Sequence, residues 1–318
     1  MKAISISSNS SLSLPPSESQ AYSRYADHIF WPQFQLTPPP PAMSNATLAE
    51  LFTSLSITRS VSAIVVDTPE SLATCLAKLG NAKELAVDCE GDNLCAEGGL
   101  SLIQLYAEGA ETIWIVDVTV LGRGAFRPVG DNPERSLKRI LEDSSVTKVR
   151  LCNLALSEVE LLITFRPAQL FFDVRNDANA LYFLHSISLR GVYDIQLQEL
   201  ALRQSENPTG RTAKLLHGLK KVLEQHLPDD REANRTKASA STIFKDGWHV
   251  LDKRPLSTQI IKYAAEDVRV LFKLKDRIRT PVGTDTRVVR ESAKRVQDAM
   301  RANYVAHGKQ KAEAPKRW

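Results

Sequence analysis

Leu85-Ala86-Val87-Asp88-Cys89-Glu90-Gly91 is the stretch on which the fold turns. An apolar run leads into an Asp-x-Glu triplet and stops at glycine, as a buried strand stops at a turn. Strand side chains alternate, so Asp88 and Glu90 share one face, about 6.6 Å apart along the backbone. Two adjacent hard oxygen donors suit a divalent cation such as Mg²⁺. Taken alone, the triplet reads more readily as a solvated turn, because it should occur roughly once by chance in a chain of this length.

Working outward, Leu100–Tyr106 and Thr112–Val118 read as two more short strands. Upstream, Thr68-Pro69-Glu70 opens an amphipathic helix reaching Leu79, with Thr68 as N-cap and Pro69 at the first helical position. Downstream, Ser136–Glu142 reads as a helix and Phe171-Phe172 as the end of a fourth strand. Helix Asp177–Leu184, a fifth strand at Val192-Tyr193 and helix Ile195–Leu202 follow, then helices over Thr212–His226 and Thr258–Arg277. Three successive strands and then strand–helix alternation predict an α/β fold: a mixed five-stranded sheet with helices on both faces.

Two later acidic groups fall where strands and helices would present them. Asp177 follows Phe171-Phe172-Asp173-Val174-Arg175-Asn176 and enters the first turn of a helix, where a carboxylate also simply complements the helix dipole. Asp173 competes with it for any role. In Tyr263-Ala264-Ala265-Glu266-Asp267, a spacing of four puts the tyrosine hydroxyl and the Asp267 carboxylate on one helical face, about 6 Å apart in rise. The plain alternative is a core tyrosine bonded to a nearby acid.

Composition narrows the classes. The chain has 318 residues, 43% hydrophobic and 25% charged, with a mean hydropathy of −0.22, so it is not disordered throughout. No apolar run approaches the ~18 residues that span a bilayer, which argues against a membrane partner. Cys75, Cys89, Cys95 and Cys152 form no C-x-x-C pair, so neither a disulfide scaffold nor a structural zinc site is expected. A reducing location, cytoplasmic or nuclear, follows as the expectation. Residues 1–57 are Ser/Pro-rich and are expected to be disordered. Residues 287–318 carry nine Lys/Arg against three Asp/Glu, so 281–318 reads as a basic C-terminal tail suited to a polyanion, or as a solvated helix.

Taken in order, the strand-end Asp88-x-Glu90, the strand–helix Asp177 and the helical Tyr263-x3-Asp267 resemble the signature of the DEDDy 3′–5′ exonucleases. That superfamily has the ribonuclease H-like fold, and the chain is most similar to its ribonuclease D branch. Ser101-Leu102-Ile103-Gln104-Leu105, Val192-Tyr193-Asp194-Ile195-Gln196 and Arg254-Pro255-Leu256 strengthen the likeness. The closest texture is the fungal-type 3′–5′ exonuclease domain proteins of the Exd and Egalitarian-like group. Lys262 stands where the DEDDh variant has histidine. The resemblance covers about residues 60–280, giving an expected exonuclease domain at 58–280.

The resemblance implies two divalent ions, Mg²⁺ or Mn²⁺, held by Asp88, Glu90, Asp177 and Asp267. Asp88 would bridge the ions, Glu90 and Asp267 would complete the site beside the attacking water, and Asp177 would support the second ion. Tyr263 would orient the water. The implied partner is single-stranded RNA or DNA, and the implied reaction is hydrolysis of the 3′-terminal phosphodiester. A catalytically weak or inactive nucleic-acid-binding adaptor on the same fold is the alternative. Arg211, Lys214, Lys220 and Lys221 are candidate phosphate contacts or the solvated face of a helix, and the solvated face is favoured. Arg254 either holds the Tyr263 helix or touches substrate.

One departure stands out. Relatives run almost directly from a Thr-Lys turn into the Phe-Phe-Asp stretch, whereas Val149–Gln169 intervenes here. It reads as a surface loop or as a translated, unspliced intron, and removing it leaves Thr-Lys-Leu-Phe-Phe-Asp.

Overall fold

The computed structural model describes residues 61–80, 82–130, 135–143, 169–207 and 214–315. The expectations for 1–57, for Arg211 and for 149–168 of the insertion therefore lie outside the described residues. In chain order the elements are β1 (Ser62–Val66), α1 (Pro69–Leu79), β2 (Leu85–Glu90), β3 (Leu102–Ala107), β4 (Thr112–Asp117), α2 (Val118–Leu121) and α3 (Leu137–Leu141). Then come β5 (Gln169–Phe171), α4 (Arg175–His185), β6 (Val192–Asp194), α5 (Ile195–Glu206), α6 (Leu219–His226) and α7 (Arg231–Ala238). The series closes with α8 (Ala240–Ile243), α9 (Thr258–Arg269), α10 (Leu271–Arg277) and α11 (Thr284–Ala299).

The strands form one mixed sheet in the order β1-β4-β3-β2-β5-β6. β2, β3 and β4 are an antiparallel meander, while β1 joins β4, and β5 and β6 extend β2, in parallel. The sheet therefore has six strands rather than the five expected. The missed strand, Ser62-Ala63-Ile64-Val65-Val66, is a five-residue edge strand that pairs only with β4 and is partly exposed, so its apolar signal is weak. Gln169, counted above as the last residue of the insertion, opens β5. It is buried, and its Nε2 donates to the Leu141 and Arg190 carbonyls at 2.9 and 2.7 Å.

Helices cover both faces. Leu85, Val87 and Cys89 point to the face packed with Leu72, Leu76, Leu137, Ala178 and Leu181. Ala86 points the other way, among Leu197, Leu223, Ile260, Ala264, Val268 and Leu274. Alternation then places Asp88 and Glu90 on Ala86's face, beneath α9, which crosses β2, β3 and β4.

Local chemistry sets the helix ends. The Thr68 hydroxyl accepts from Ser71 N, the Ser71 hydroxyl oxygen accepts from Thr68 N, and Pro69 sits at the first position, as the sequence predicts. Ser257 caps α9 in the same manner, accepting from Ile260 N at 3.3 Å. The helix expected over Thr212–His226 begins only at Leu219, because the backbone of residues 214–216 instead bonds to that of 312–314 through a bridge between Leu215 and Glu313. The helix expected over Thr258–Arg277 is interrupted at Val270.

Residues 284–315, read in the sequence as a tail, are folded against the sheet. α11 packs on β6, α4 and α5. After it the chain doubles back as a strap whose Ala312 carbonyl accepts from Leu216 N and whose Ala314 N donates to the Lys214 carbonyl, at 2.8 and 2.9 Å.

Candidate active site

The site lies where β2 ends. Asp88, Glu90 and Asp267 each offer a carboxylate oxygen, and these atoms lie within 4.8 Å of one another. Asp88 and Glu90 come from alternate positions of β2, and Asp267 comes down from the buried face of α9. One Asp267 oxygen, Oδ2, is buried without a hydrogen-bond partner. A buried, bare carboxylate oxygen is a costly feature unless a cation or water completes it.

Charge crowding appears in the acidities. Burial, and after it the Asp267 and Asp177 charges, raises the Asp88 carboxyl well above its usual range. Burial and the Asp267 charge push Glu90 up to about 8. Burial raises Asp267 as well, with Lys237 working in the opposite direction. These are groups that a low-dielectric setting and like charge hold away from their preferred ionised state.

Asp177 is buried in the first turn of α4 but is not among the three converging carboxylates. It stands beside Cys89, whose thiol acidity is suppressed by burial and then by the Asp177 charge. Burial and Asp173 push Asp177 up to about 8, while Lys311 works to lower it. All four sequence-predicted acids thus share one electrostatic neighbourhood, three of them in direct convergence.

Tyr263 is buried on the same face of α9 as Asp267. Phe244 meets it edge-on at 5.0 Å between centroids, and Trp248 stacks on Phe244 at 4.0 Å. Burial and the Asp267 charge move the phenol further above its ordinary range, so it stays protonated.

The residue missed in the sequence is Lys237, on α7. Its Nζ pairs with Asp267 Oδ1 and lies 3.9 Å from the Tyr263 ring centroid, with the side chain only 8% exposed. α7 is held over the site by Asp230, which accepts from Ala233 N at 3.2 Å and pairs with Arg269 and Lys273 at 2.7 and 2.9 Å. In the sequence, Lys237 sits in a polar stretch whose basic residues look like any solvated helix face. Ala233, four residues earlier on the same helical face and buried, is the one local sign that it points inward.

Arg254 resolves as a brace: its Nε and Nη2 bind the two Asp117 oxygens at the end of β4, and Nη1 donates to the Leu251 carbonyl at 2.6 Å. Lys220 and Lys221 are exposed on α6, and Lys214, also exposed, precedes that helix and pairs through its backbone with the strap.

A second charged cluster lies behind Asp177. Asp194 accepts from the backbone of Asp173, Val174 and Gln196 at 2.9, 3.1 and 3.1 Å, and pairs with buried Arg295 of α11 at 2.6 Å. Arg175 grips Asp173 through two bonds of 2.5 and 2.7 Å. Burial works to raise Asp173, but the Arg175 hydrogen bonds and the Arg295 charge win and hold it at about 2.

Comparison with known proteins agrees with this geometry. Residues 160–282 match the 3′–5′ exonuclease family, a span that includes Asp177, Tyr263 and Asp267. The piRNA biogenesis protein EXD1 of Xenopus laevis is 25% identical over 200 residues, which is 62% of this chain and 37% of that protein's length. Among solved structures, RNase D of Trypanosoma brucei matches in its complex with RNA U12, with a TM-score of 0.60 and 22% identity over 84% of this chain and 80% of that one. Its GMP complex matches with a TM-score of 0.58 and 23% identity over 79% of this chain and 68% of that one. The fold is therefore the ribonuclease D-like α/β fold of the ribonuclease H-like class. The match over residues 160–282 supports a nuclease.

Proposed function

We propose that the chain is a metal-dependent 3′–5′ exonuclease that hydrolyses the terminal phosphodiester of single-stranded nucleic acid. The observation that carries this reading is the convergence of Asp88, Glu90 and Asp267 beneath Tyr263, with one Asp267 oxygen left bare. The donor set fits hard divalent cations: all oxygen, anionic, buried and short of counter-charge. Asp88, Glu90, Asp177 and Asp267 would hold two such ions, Mg²⁺ or Mn²⁺. Bound there, they supply an acidified water and neutralise the departing 3′ oxygen.

The protein's own groups do the rest. Asp88 feels both Asp267 and Asp177, which suits it to serve both ions. Tyr263 keeps its proton and therefore orients the attacking water by a hydrogen bond rather than deprotonating it. Phe244 and Trp248 fix the phenol ring. Lys237 neutralises Asp267 in the absence of other cations and leaves an ammonium beside the place the scissile phosphate must occupy. The RNA bound by the trypanosomal RNase D favours RNA over DNA as substrate. The narrower placement with the fungal Exd-like group, and a cytoplasmic or nuclear location, belong to the same proposal.

The test is time-resolved digestion of 5′-labelled single-stranded RNA and DNA with Mg²⁺ or Mn²⁺, by the parent chain and by Asp88→Asn. A descending ladder is expected from the parent and none from the variant, a loss of at least about three orders of magnitude, or ~4 kcal/mol. Undiminished cleavage by pure Asp88→Asn overturns the assignment. The Lys237–Asp267 pair favours a second reading, a binding-only adaptor, because it already neutralises one cation ligand. Strand binding without a ladder from the parent selects that reading.

A further inference from the structure

The strap that follows α11 closes two overlapping cavities, of about 410 and 530 Å³, whose shared walls are Arg175, Lys294, Asp298, Tyr304 and Gln310. Lys311 and Arg301 also line the smaller one, where four cations face a single acid, Asp298, while Arg295, Glu291 and Glu313 line the larger. Three of those cations are already engaged. Arg175 is held by Asp173, Lys294 by Asp298 at 2.6 Å, and Arg301 by Asp298 at 3.2 Å. Lys311 has no carboxylate within ion-pair distance among the described residues. Its Nζ donates instead to the neutral Asn176 Oδ1 at 2.6 Å, which Tyr304 also serves at 3.0 Å.

Position gives this surplus charge a meaning. Asn176 immediately precedes Asp177, and the Lys311 charge is felt at the Asp177 carboxyl. Lys311 thus links the smaller cavity to the acid proposed for the second ion. A strand whose 3′-terminal phosphodiester sits over the carboxylates must carry its next phosphates outward along the protein surface. A half-buried ammonium with no carboxylate in ion-pair contact among the described residues, in a cavity wall where cations outnumber acids four to one, is suited to one of them.

We propose that the cavity between α11 and the C-terminal strap is a backbone-phosphate subsite for the single-stranded substrate, with Lys311 as its central cation. The proposal rests on the nuclease reading and adds to it a segment that lies outside the matched exonuclease region. Arg175 and Arg301 flank the phosphate, and the strap is part of the substrate path rather than a loose extension. Each phosphate neutralised on a single strand contributes about 0.7 to the slope of log affinity against log salt.

Binding of a fluorescein-labelled single-stranded RNA, followed by anisotropy from low to high salt, tests this in the Asp88→Asn background. Adding Lys311→Met is expected to weaken binding equally for all sequences and to lower the slope by about 0.7, with Lys311→Arg restoring it. Lys311→Gln serves if the Met variant melts early. Asn176→Ala keeps the ammonium and is expected to keep the slope. Weaker binding with an unchanged slope shows Lys311 to be only a tether and overturns the subsite, leaving the nuclease reading intact. Absence of any strand binding by Asp88→Asn overturns both.

Discussion

Two clusters of acids lie on either side of the turn from β5 into α4, and they are built on opposite principles. Behind the turn, Asp173 and Asp194 are matched by Arg175 and Arg295, the Asp194 oxygens are filled by backbone N–H groups, and Asp173 is held at about 2. In front of it, Asp88, Glu90, Asp177 and Asp267 crowd together with Lys237 paired to one of them, and their carboxyls are all raised. Both clusters are buried. The difference teaches that burial of acids alone does not mark a site. What marks it is burial without sufficient counter-charge, which a fold tolerates only where something else is to supply the charge.

The contrast can be broken by substitution. Asp194→Asn removes one partner of a buried ion pair and strands Arg295, so urea unfolding should show a loss of about 3–5 kcal/mol. A loss below 1 kcal/mol would mean that the rear cluster is not a brace.

Metal supply should act only on the front cluster. In the metal-free protein Glu90 and Asp177 have folded-state acidities near 8, above their unfolded values. Groups raised in this way contribute stability below their unfolded pKa, and it is lost as pH climbs through about 8. The melting temperature of metal-free protein should therefore fall between pH 5 and pH 8.5. Mn²⁺ at a hundred times its dissociation constant should return about 2.7 kcal/mol at the upper end. A flat profile, or rescue equal at both pH values, contradicts the charge-crowding account.

A smaller and more telling effect has the opposite sign to the first. Asp88→Asn relieves like-charge repulsion, so the metal-free variant should be more stable than the parent at pH 8, by about 0.5–2 kcal/mol. An Asp→Asn change would then destabilise one cluster and stabilise the other. Tyr263→Phe should be the mildest, lowering kcat about tenfold, ~1.4 kcal/mol, while leaving KM and melting temperature nearly unchanged. A matching rise in KM would assign the phenol to substrate binding instead.

In the front cluster, period placed residues on a common face, Asp88 and Glu90 by strand alternation and Tyr263 and Asp267 by the helical spacing of four, but only their order and the resemblance to the DEDDy pattern joined them, with Asp177, into one site. The strands of the meander were legible as apolar runs between tight turns. The rear cluster was not, since Arg295 and Asp194 are 101 residues apart and a single arginine on an amphipathic helix looks solvated. Lys237 escaped notice for that reason too. Tertiary pairing has no period. Edge strand β1, half exposed, and the 214–216 pairing with the strap were invisible on the same grounds.

The placement of Arg295 and Lys311 also has a temporal side. The acids of the front cluster leave the ribosome by residue 267, but the groups that seat α4, and with it Asp177, emerge only 28 to 44 residues later. At about 5–20 residues per second that is an interval of a few seconds. A nascent chain paused within it already carries every acid of the front cluster and none of the C-terminal clamp. Completion of the cluster is thereby tied to the arrival of a segment that contributes none of its acids, an ordering in time written into the topology of the fold.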